Sequence, residues 1–368
     1  MPRTFAINTL GCKTNHYESE QIRELLEHEG LVRAEDGGKA DIVVVNTCCV
    51  THTASAKSRQ LVRKAQKLHP GAAVVVCGCL PIAQSGELKL NSPNLHIVRG
   101  QVDLAAELAG LLRAEPARAD SVPSTLNLAQ THREKGITAL SMQNQLPLTT
   151  EIAQIDNGES KVPQLTKKLR KKFSSPRTGA RTQKMGFNTS IRAEDGRLIK
   201  HKTNLANPPR LPTLTSFAGQ TRAFLKIQDG CDRSCSYCVI PFARPKVHSK
   251  PPNEVLAEAE ALVGAGHKEI VITGIHLGAY GLPTARRANW PNDKNEHLVS
   301  LLDDLAQVPG LARIRLSSLD PEDLTEELLD VLAEHRNILP HLHLSLQSGS
   351  DRILRRMCRQ YTLSLIHI

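Results

Sequence analysis

The sequence predicts an α/β fold, with an N-terminal parallel-sheet α/β domain followed by an incomplete (β/α) partial barrel. Strand and helix patterns alternate over residues 1–112 and again over residues 221–362 of the 368-residue chain. Such alternation is typical of parallel sheets covered by helices. One strand run, Ile42–Val45, is apolar at every position, which indicates a strand that is buried on both faces.

In the first block, each predicted strand is followed by a predicted helix. The strands are expected at Thr4–Thr9, Asp41–Asn46 and Ala73–Val76. The helices are expected at Ser19–His28, Thr53–His69 and Leu104–Leu112. Gly30 and Pro70-Gly71 provide natural ends for the first two helices. Residues 1–112 are therefore predicted to form one α/β domain.

The second block contains four β/α units in succession. Its strands are expected at Phe224–Ile227, Glu269–Thr273, Arg313–Ser318 and His341–Leu346. Its helices are expected at Asn253–Gly264, Leu298–Val308 and Leu324–His335. Repeated units of this kind begin a (β/α) barrel, and the functional site of such a barrel lies at the carboxyl ends of the strands.

Residues 113–220 differ from both blocks. Polar residues, proline and charge dominate, and few apolar positions recur with a period, so a low-complexity, basic, disordered insertion is predicted. Between Lys161 and Lys184 there are nine basic residues and no acidic one. This run is suited to phosphate contacts, and a solvated linker without a specific role is the alternative.

The charge and the chain start bear on partners and compartment. The net charge of +10 favours an anionic partner such as nucleic acid. The start of the chain has no apolar signal core, and no apolar run is long enough to span a bilayer. A cytoplasmic location without membrane contact is therefore expected. Because that compartment is reducing, the nine cysteines are expected to be ligands or buried residues and not disulfides.

Cysteines follow each of the first three predicted strands. They are Cys12 after the first, Cys48 and Cys49 after the second, and Cys77 and Cys79 at the end of the third. The carboxyl ends of parallel strands share one edge of the sheet, where ligands bind. The sequence therefore predicts that some of these thiols meet at a site, while simple packing of some of them is the alternative.

A second group of cysteines has the spacing CxxxCxxC. Cys231, Cys235 and Cys238 lie in one loop directly after the run Phe224–Ile227. A metal or cluster site of four cysteines is closed, whereas three cysteines leave one metal position open for a ligand that reacts. We expect a metal site with an open position here.

At this loop the sequence resembles the radical S-adenosylmethionine (SAM) enzymes, with Tyr237 as the aromatic residue before the last cysteine. Leu10–Asn15, Asn46–Thr51 and Gly78-Cys79 are similar to the methylthiotransferases of that group. Three further stretches are most similar to the MtaB type, which acts on N6-threonylcarbamoyladenosine beside the tRNA anticodon. They are Ile272–Gly281, Leu316–Pro321 and His343–Ser350. The resemblance covers roughly residues 4–112 and 221–362.

The resemblance implies two 4Fe–4S clusters and SAM as cofactors. Cys231, Cys235 and Cys238 would hold the cluster that binds SAM. Cys12, Cys48 and Cys79, and not Cys49 or Cys77, would hold an auxiliary cluster. The positions at which the family contacts SAM correspond here to Tyr237, Gly274, Gly278, Ser345 and Gln347. No side chain is assigned as catalytic, because the clusters and SAM would carry the chemistry.

The function that the resemblance implies is methylthiolation of the adenine ring of N6-threonylcarbamoyladenosine in tRNA. Its partners would be tRNA and an electron donor such as flavodoxin or ferredoxin. One alternative is a methylthiotransferase for isopentenylated adenosine in tRNA or for a ribosomal protein aspartate. A more distant alternative is a non-enzymatic zinc or RNA-binding module. Iron content would distinguish an enzyme from such a module.

Several positions depart from the family pattern. Pro245–Lys250 stands where an Arg-Gly and basic run is usual, and Cys358 stands where Asn is usual. After Thr362 the family continues with the last barrel strands and a small RNA-binding module. Leu363–Ile368 is therefore expected to be a non-native tail, and a chain truncated at this point is expected to be inactive.

Overall fold

The computed structural model describes residues 2–35, 38–83, 94–113, 189–192, 198–201, 211–290 and 295–366. Met1–Glu115 and Thr203–Ile368 together form one unit, and Pro116–Lys202 form another. In the second unit, strands at residues 189–192 and 198–201 pair antiparallel. The basic run from Lys161 to Lys184 lies outside the described residues.

The N-terminal domain contains a five-stranded parallel sheet. Its strands are β1 (Thr4–Thr9), β2 (Val32–Arg33), β3 (Ile42–Thr47), β4 (Ala73–Gly78) and β5 (Leu95–Ile97), in the spatial order β2-β1-β3-β4-β5. The prediction of a parallel sheet is confirmed. The two edge strands were not predicted, because two or three residues are too short to show a pattern.

Helices cover both faces of this sheet. They are α1 (Lys13–His28), α2 (His52–Leu68), α3 (Leu80–Ala83) and α4 (Gln101–Arg113). On β3, Val43 and Val45 pack in one core with Val62 of α2. The alternate residues of β3 pack in a second core with α1 and α4. Since both faces are buried, β3 is apolar from Ile42 to Val45 and the sequence signal is strong.

Helix α1 begins six residues before the predicted start at Ser19. Its first turns are polar in sequence yet buried in the structure, notably Thr14, Asn15 and Glu18. Polar residues on the buried face removed the apolar period from this half of the helix. Asn15 contacts the strand-end loops and Glu18 contacts the second domain, as described below.

The second domain is a partial barrel. The paired strands of the separate unit are β6 (Thr189–Arg192) and β7 (Leu198–His201). The strands of the second domain are β8 (Arg222–Asp229), β9 (His248–Ser249), β10 (Glu269–Gly274), β11 (Arg313–Leu316), β12 (Ser318–Leu319) and β13 (His343–Leu344). One sheet has the order β11-β10-β8-β9, and β12 pairs with β13. All pairs are parallel except that of β8 with the short β9. The predicted partial barrel is confirmed.

The helices of this domain follow the predicted succession. They are α5 (Ile240–Ala243), α6 (Pro252–Gly264), α7 (Glu296–Ala306), α8 (Glu326–Glu334), α9 (Asp351–Arg356) and α10 (Leu363–Ile366). None of the helices in the described ranges combines the length and the apolar character needed to cross a bilayer. The strand expected at His341–Leu346 is reduced to His343 and Leu344, both exposed.

The core of the second domain includes residues that precede the predicted boundary at residue 221. Leu214 and Phe217 are 1% and 4% exposed and belong to the core of the second domain. The backbone N–H groups of Thr215 and Ser216 donate to Glu24 of α1 at 2.9 and 2.7 Å. Two isolated apolar residues in a polar stretch gave no periodic signal, so sequence reasoning placed them in the insertion.

Tyr17 of α1 joins the two domains. Its ring is fully buried in the core of the second domain. Its hydroxyl donates to Glu258 of α6 at 2.6 Å and accepts from Lys250 Nζ at 2.9 Å. A buried aromatic body with a satisfied polar tip is a strong contact, so the domains pack as one unit.

Cys358 adopts a backbone conformation that is unfavourable for cysteine. It follows α9 with φ of 55°. The N–H of Arg359 donates to the carbonyl of Leu354 at 3.0 Å, and that of Cys358 to Arg355 at 3.1 Å, which is the Schellman pattern of a helix end. The residue in this position must adopt a left-handed backbone conformation, and asparagine tolerates that conformation better than cysteine.

We therefore expect Cys358→Asn to raise the free energy of unfolding by about 0.5–1 kcal/mol, since the left-handed conformation costs most residues about 1 kcal/mol. Urea denaturation followed by circular dichroism measures the change. Cys358→Ala is the control, because alanine removes the thiol but keeps the backbone cost, and it should give no gain. Equal stability of the asparagine and alanine variants would contradict the explanation.

Candidate metal centres

Cys12, Cys48 and Cys79 lie at the carboxyl ends of the adjacent strands β1, β3 and β4. Cys12 precedes α1 and is exposed, whereas Cys48 and Cys79 are buried. Burial raises the pKa of the Cys48 thiol, and the neighbouring thiols of Cys79 and Cys12 raise it further. The three cysteines that the family resemblance selected for an auxiliary cluster thus lie at neighbouring strand ends, and that they hold a cluster stays a prediction.

Cys77 and Cys49 differ in their relation to this group. Cys77 packs in the opposite core of the sheet, with residues of α1 and α4, and complete burial raises its pKa. Cys49 donates a hydrogen bond to Cys79, which together with the charge of Arg244 lowers the pKa of Cys79 to about 6. Geometry therefore favours Cys79 over Cys77, while the choice of Cys48 over Cys49 stays a prediction.

Amide and hydroxyl side chains fix the loops that carry these thiols. Asn15 Nδ2 donates to the carbonyls of Leu10 and Thr47 at 2.9 and 3.0 Å. Ser58 Oγ accepts from the N–H of Cys48 at 3.1 Å and donates to its carbonyl at 2.9 Å. Satisfied buried polar groups of this kind hold a unique geometry. Ser58 was missed because a serine within a basic helix gives no sequence signal.

Cys231, Cys235 and Cys238 lie in the loop after β8, each partly buried. The N–H of Cys231 donates to the carbonyl of Arg244 at 3.0 Å, and that of Cys238 to the carbonyl of Cys235 at 3.1 Å. Burial, with the nearby thiols of Cys238 and Cys235, raises the pKa of Cys231 to about 11. The three thiols therefore form a second group.

The predicted SAM contacts lie around this loop and at the strand ends. Tyr237 is 50% exposed, and its hydroxyl is 3.5 Å from Arg359 Nη1. Gly274 ends β10 against Gln228, and a Cβ on Gly278 would lie 2.1 Å from Asp323 Cγ. The other two positions, Ser345 and Gln347, follow β13, and Gln347 has φ of 59°. That these residues contact SAM stays a prediction.

A buried group of arginines and carboxylates adjoins the CxxxCxxC loop. Arg233 pairs with Asp320 and Glu322, and Arg359 also pairs with Asp320. Arg359 Nη1 lies 3.5 Å from Cys235 Sγ. Both Arg233 Nε and Arg359 Nε are buried without a hydrogen-bond partner among the described residues, so donors remain for a polar ligand.

His276 is neutral in this environment. Burial, with the charge of Arg233, lowers its pKa to about 4. Ligand atoms of His276, Asp320 and Asp323 lie within 4.8 Å of one another. Two arginines already pair with Asp320, so the group has the character of an ion-pair network. The sequence contained Arg233 and Asp320 within its motifs, but their pairing across 87 positions was not predictable.

Glycines with positive φ directly precede Cys79 and Cys231. Gly78 has φ of 90°, and a Cβ there would lie 2.3 Å from the carbonyl oxygen of Thr47, the residue before Cys48. Gly230 has φ of 80°, and a Cβ there would lie 1.9 Å from the carbonyl oxygen of Lys246. Close backbone approach at both positions requires glycine.

Two family models match the chain. The uncharacterized protein family UPF0004 matches residues 4–100, and the radical SAM superfamily matches residues 225–366. The two matches correspond to the sheet domain and to most of the partial barrel, and each includes one complete group of three cysteines.

Curated relatives match almost the whole chain. The threonylcarbamoyladenosine tRNA methylthiotransferase MtaB of Bacillus subtilis is 32% identical over 98% of this chain and 61% of its own length. The Treponema pallidum protein of the same name is 31% identical over 98% of this chain and 69% of its own. A tRNA-2-methylthio-N(6)-dimethylallyladenosine synthase of Nocardioides is 28% identical. The chain spans about three fifths of the length of the Bacillus and Thermotoga maritima relatives.

A solved structure shares the fold. The radical SAM methyltransferase TsrM of Kitasatospora setae aligns with a TM-score of 0.52 over 99% of this chain and 64% of its own. The sequence identity is 13%, so this likeness bears on the fold alone.

The glycine before Cys79 can be tested with a matched control. We expect Gly78→Ala to lower the iron content of the anaerobically reconstituted protein by about one 4Fe–4S cluster, because the new Cβ separates the ends of β3 and β4. Gly71→Ala shares the left-handed backbone, with φ of 91°, but its Cβ would meet nothing within 4 Å. Each variant loses about 1 kcal/mol from the backbone, and Gly78→Ala loses about 1–3 kcal/mol more from the clash. Equal iron content in both variants would refute the steric argument.

Proposed function

The chain belongs to the MtaB family of threonylcarbamoyladenosine tRNA methylthiotransferases within the radical SAM superfamily, and we propose that it methylthiolates the adenine ring of N6-threonylcarbamoyladenosine next to the tRNA anticodon. One observation carries the proposal. Two groups of three cysteines lie in one packed unit, and Arg244 contacts a member of each, Cys79 by its side chain and Cys231 by its carbonyl.

The donor sets suit the cofactors of this family, which are 4Fe–4S clusters and SAM. In each group, three thiols would leave one iron of a cluster without a protein ligand. Cys12, Cys48 and Cys79 would hold the auxiliary cluster, and Cys231, Cys235 and Cys238 the cluster that binds SAM. The buried N–H donors of Arg233 and Arg359 add polar contacts beside the second group.

When bound, the clusters and SAM supply radical chemistry, which suits an aromatic C–H bond that is too weakly acidic for a side-chain base. The side chains of the protein would bind the clusters and shield them from solvent. Burial shields Cys48 and Cys79 from water, whereas Cys12 is exposed, and exclusion of solvent from a cluster also influences its potential. Arg233 lies within the CxxxCxxC loop, and its ion pair with Asp320 orients the loop backbone.

An RNA partner agrees with the charge of the chain. The net charge of +10 favours association with a polyanion, and such binding weakens as salt is raised. The partners that we propose are tRNA and an electron donor such as flavodoxin or ferredoxin, and the compartment is the cytoplasm. The basic run from Lys161 to Lys184 is a candidate for phosphate contacts.

Methylthiolation of isopentenylated adenosine is the second candidate. It is favoured by the 28% identity to the dimethylallyladenosine synthase of Nocardioides over 98% of this chain. The MtaB relatives from Bacillus and Treponema have higher identity, at 32% and 31%, and we therefore place threonylcarbamoyladenosine first.

The cysteine assignment predicts the result of anaerobic reconstitution. The protein is expected to bind about two 4Fe–4S clusters, Cys79→Ala about one and Cys77→Ala about two. Cys77 is the matched control, because it lies two residues before Cys79, on β4, but packs in the opposite core. Iron and sulfide analysis gives the stoichiometry. Zinc at unit stoichiometry without iron would instead support a zinc-binding module.

The substrate is tested by nucleoside analysis of tRNA. A strain that lacks the gene should accumulate N6-threonylcarbamoyladenosine without its methylthio group, and the gene should restore the modification. The Cys235→Ala variant should fail to restore it, because it removes a thiol of the CxxxCxxC loop. Loss of the methylthio group from isopentenylated adenosine instead would establish the second candidate.

A further inference from the structure

Arg244 makes contacts with both cysteine groups. Its Nε donates to Cys79 Sγ at 3.5 Å. Its backbone carbonyl accepts from the N–H of Cys231 at 3.0 Å. Arg244 directly follows α5, which continues the loop of Cys235 and Cys238. One residue therefore connects the ligand loops of two domains.

The guanidinium of Arg244 is held in one orientation by two carboxylates. Nη1 and Nη2 donate to the two oxygens of Glu18 at 2.7 and 2.8 Å. Nη1 also lies 3.0 and 2.9 Å from the oxygens of Asp229. This bidentate geometry is specific to the planar fork of arginine. With both Nη groups fixed, the remaining Nε–H is directed at Cys79.

Lys226 completes the charge balance of the network. Its Nζ donates to Glu18 and Asp229, each at 3.0 Å. The two carboxylates are thus matched by two cations, and the side chains of all four are at most 10% exposed. A balanced set leaves Arg244 free to interact with the additional negative charge of a cluster ligand.

We propose that Arg244 is a positioning residue shared by the two clusters, which sets their separation and stabilises the reduced form of the auxiliary cluster through Cys79. The inference rests on the proposed function, since it requires clusters at both groups. Hydrogen bonds and positive charge at ligating sulfurs offset the negative charge that a cluster gains on reduction, and they raise its potential. The carbonyl of Arg244 accepts from the N–H of Cys231, so the residue whose side chain contacts Cys79 also contacts the ligand loop of the other cluster.

The test uses protein in which Cys231, Cys235 and Cys238 are replaced by alanine, so that the auxiliary cluster alone is present. An EPR-monitored redox titration compares Arg244 with Arg244→Lys. Lysine keeps the charge but lacks the fork that pairs with Glu18 while donating to Cys79. At a fixed solution potential, the ratio of reduced to oxidised cluster should fall about tenfold, which corresponds to about 59 mV for a one-electron couple.

Two further variants make the result specific. Arg313→Lys is the matched control, because Arg313 pairs with Glu269 at 2.8 Å in the outer part of the barrel sheet. The potential of the auxiliary cluster in this variant should equal that in the parent protein. The double variant Arg244→Gln, Glu18→Gln keeps the network neutral. It replaces Arg244→Lys in the redox titration if that variant does not fold. It should show the same fall in the reduced fraction.

The effect on cluster separation is measured in protein with all six ligating cysteines. The magnetic interaction between the two reduced clusters, seen as splitting of their EPR signals, should change in Arg244→Lys and stay constant in Arg313→Lys. An unchanged potential and an unchanged interaction in both Arg244 variants would overturn the role of Arg244. Failure of the parent protein to bind any cluster would instead overturn the proposed function.

Discussion

The contact between Glu18 and Arg244 is the interaction on which the joined structure depends. Each charge comes from a different domain and is removed from water, and the penalty for burying a charge exceeds the attraction of a single poorly formed pair. The bidentate geometry, with Asp229 and Lys226 completing it, satisfies the donors and acceptors. Such a network contributes little net stability compared with an apolar contact, but it permits one arrangement of the domains. The arrangement in turn determines where the two cysteine groups lie.

The apolar contacts around this network supply the stability that the charges do not. Tyr17 is inserted from α1 into the core of the barrel domain, and Ala243 packs from the barrel domain into the core that contains Cys79. Burial of a tyrosine ring contributes about 2 kcal/mol. Reciprocal insertion of this kind surrounds the ion pairs with side chains and lowers the local dielectric, which strengthens well-aligned pairs and penalises misaligned ones. Shape and charge thus select the same domain orientation.

The sequence predicted those features that depend on local pattern. β3 was found because Ile42–Val45 is an unbroken apolar run that is buried, and the cysteines at the strand ends were expected to meet because parallel strands share one edge. The start of α1 was missed, since buried Asn15 and Glu18 have partners outside the helix. Arg244 was missed for a related reason. Its hydrogen bond to Cys79 spans 165 positions, and no periodic or spacing rule relates an arginine after one loop to a thiol in another domain.

The domain interface also restricts which substitutions the sheet domain and the barrel domain can accept. In the isolated sheet domain, Glu18 would lose Arg244 and Lys226, and in the isolated barrel domain those two cations would lose Glu18. Replacing one partner leaves a buried charge uncompensated, at a cost of about 3–5 kcal/mol, so a tolerated exchange at either position requires a simultaneous exchange at the other. A chimera that combines the sheet domain of one relative with the barrel of another would therefore succeed only where both carry matching charges.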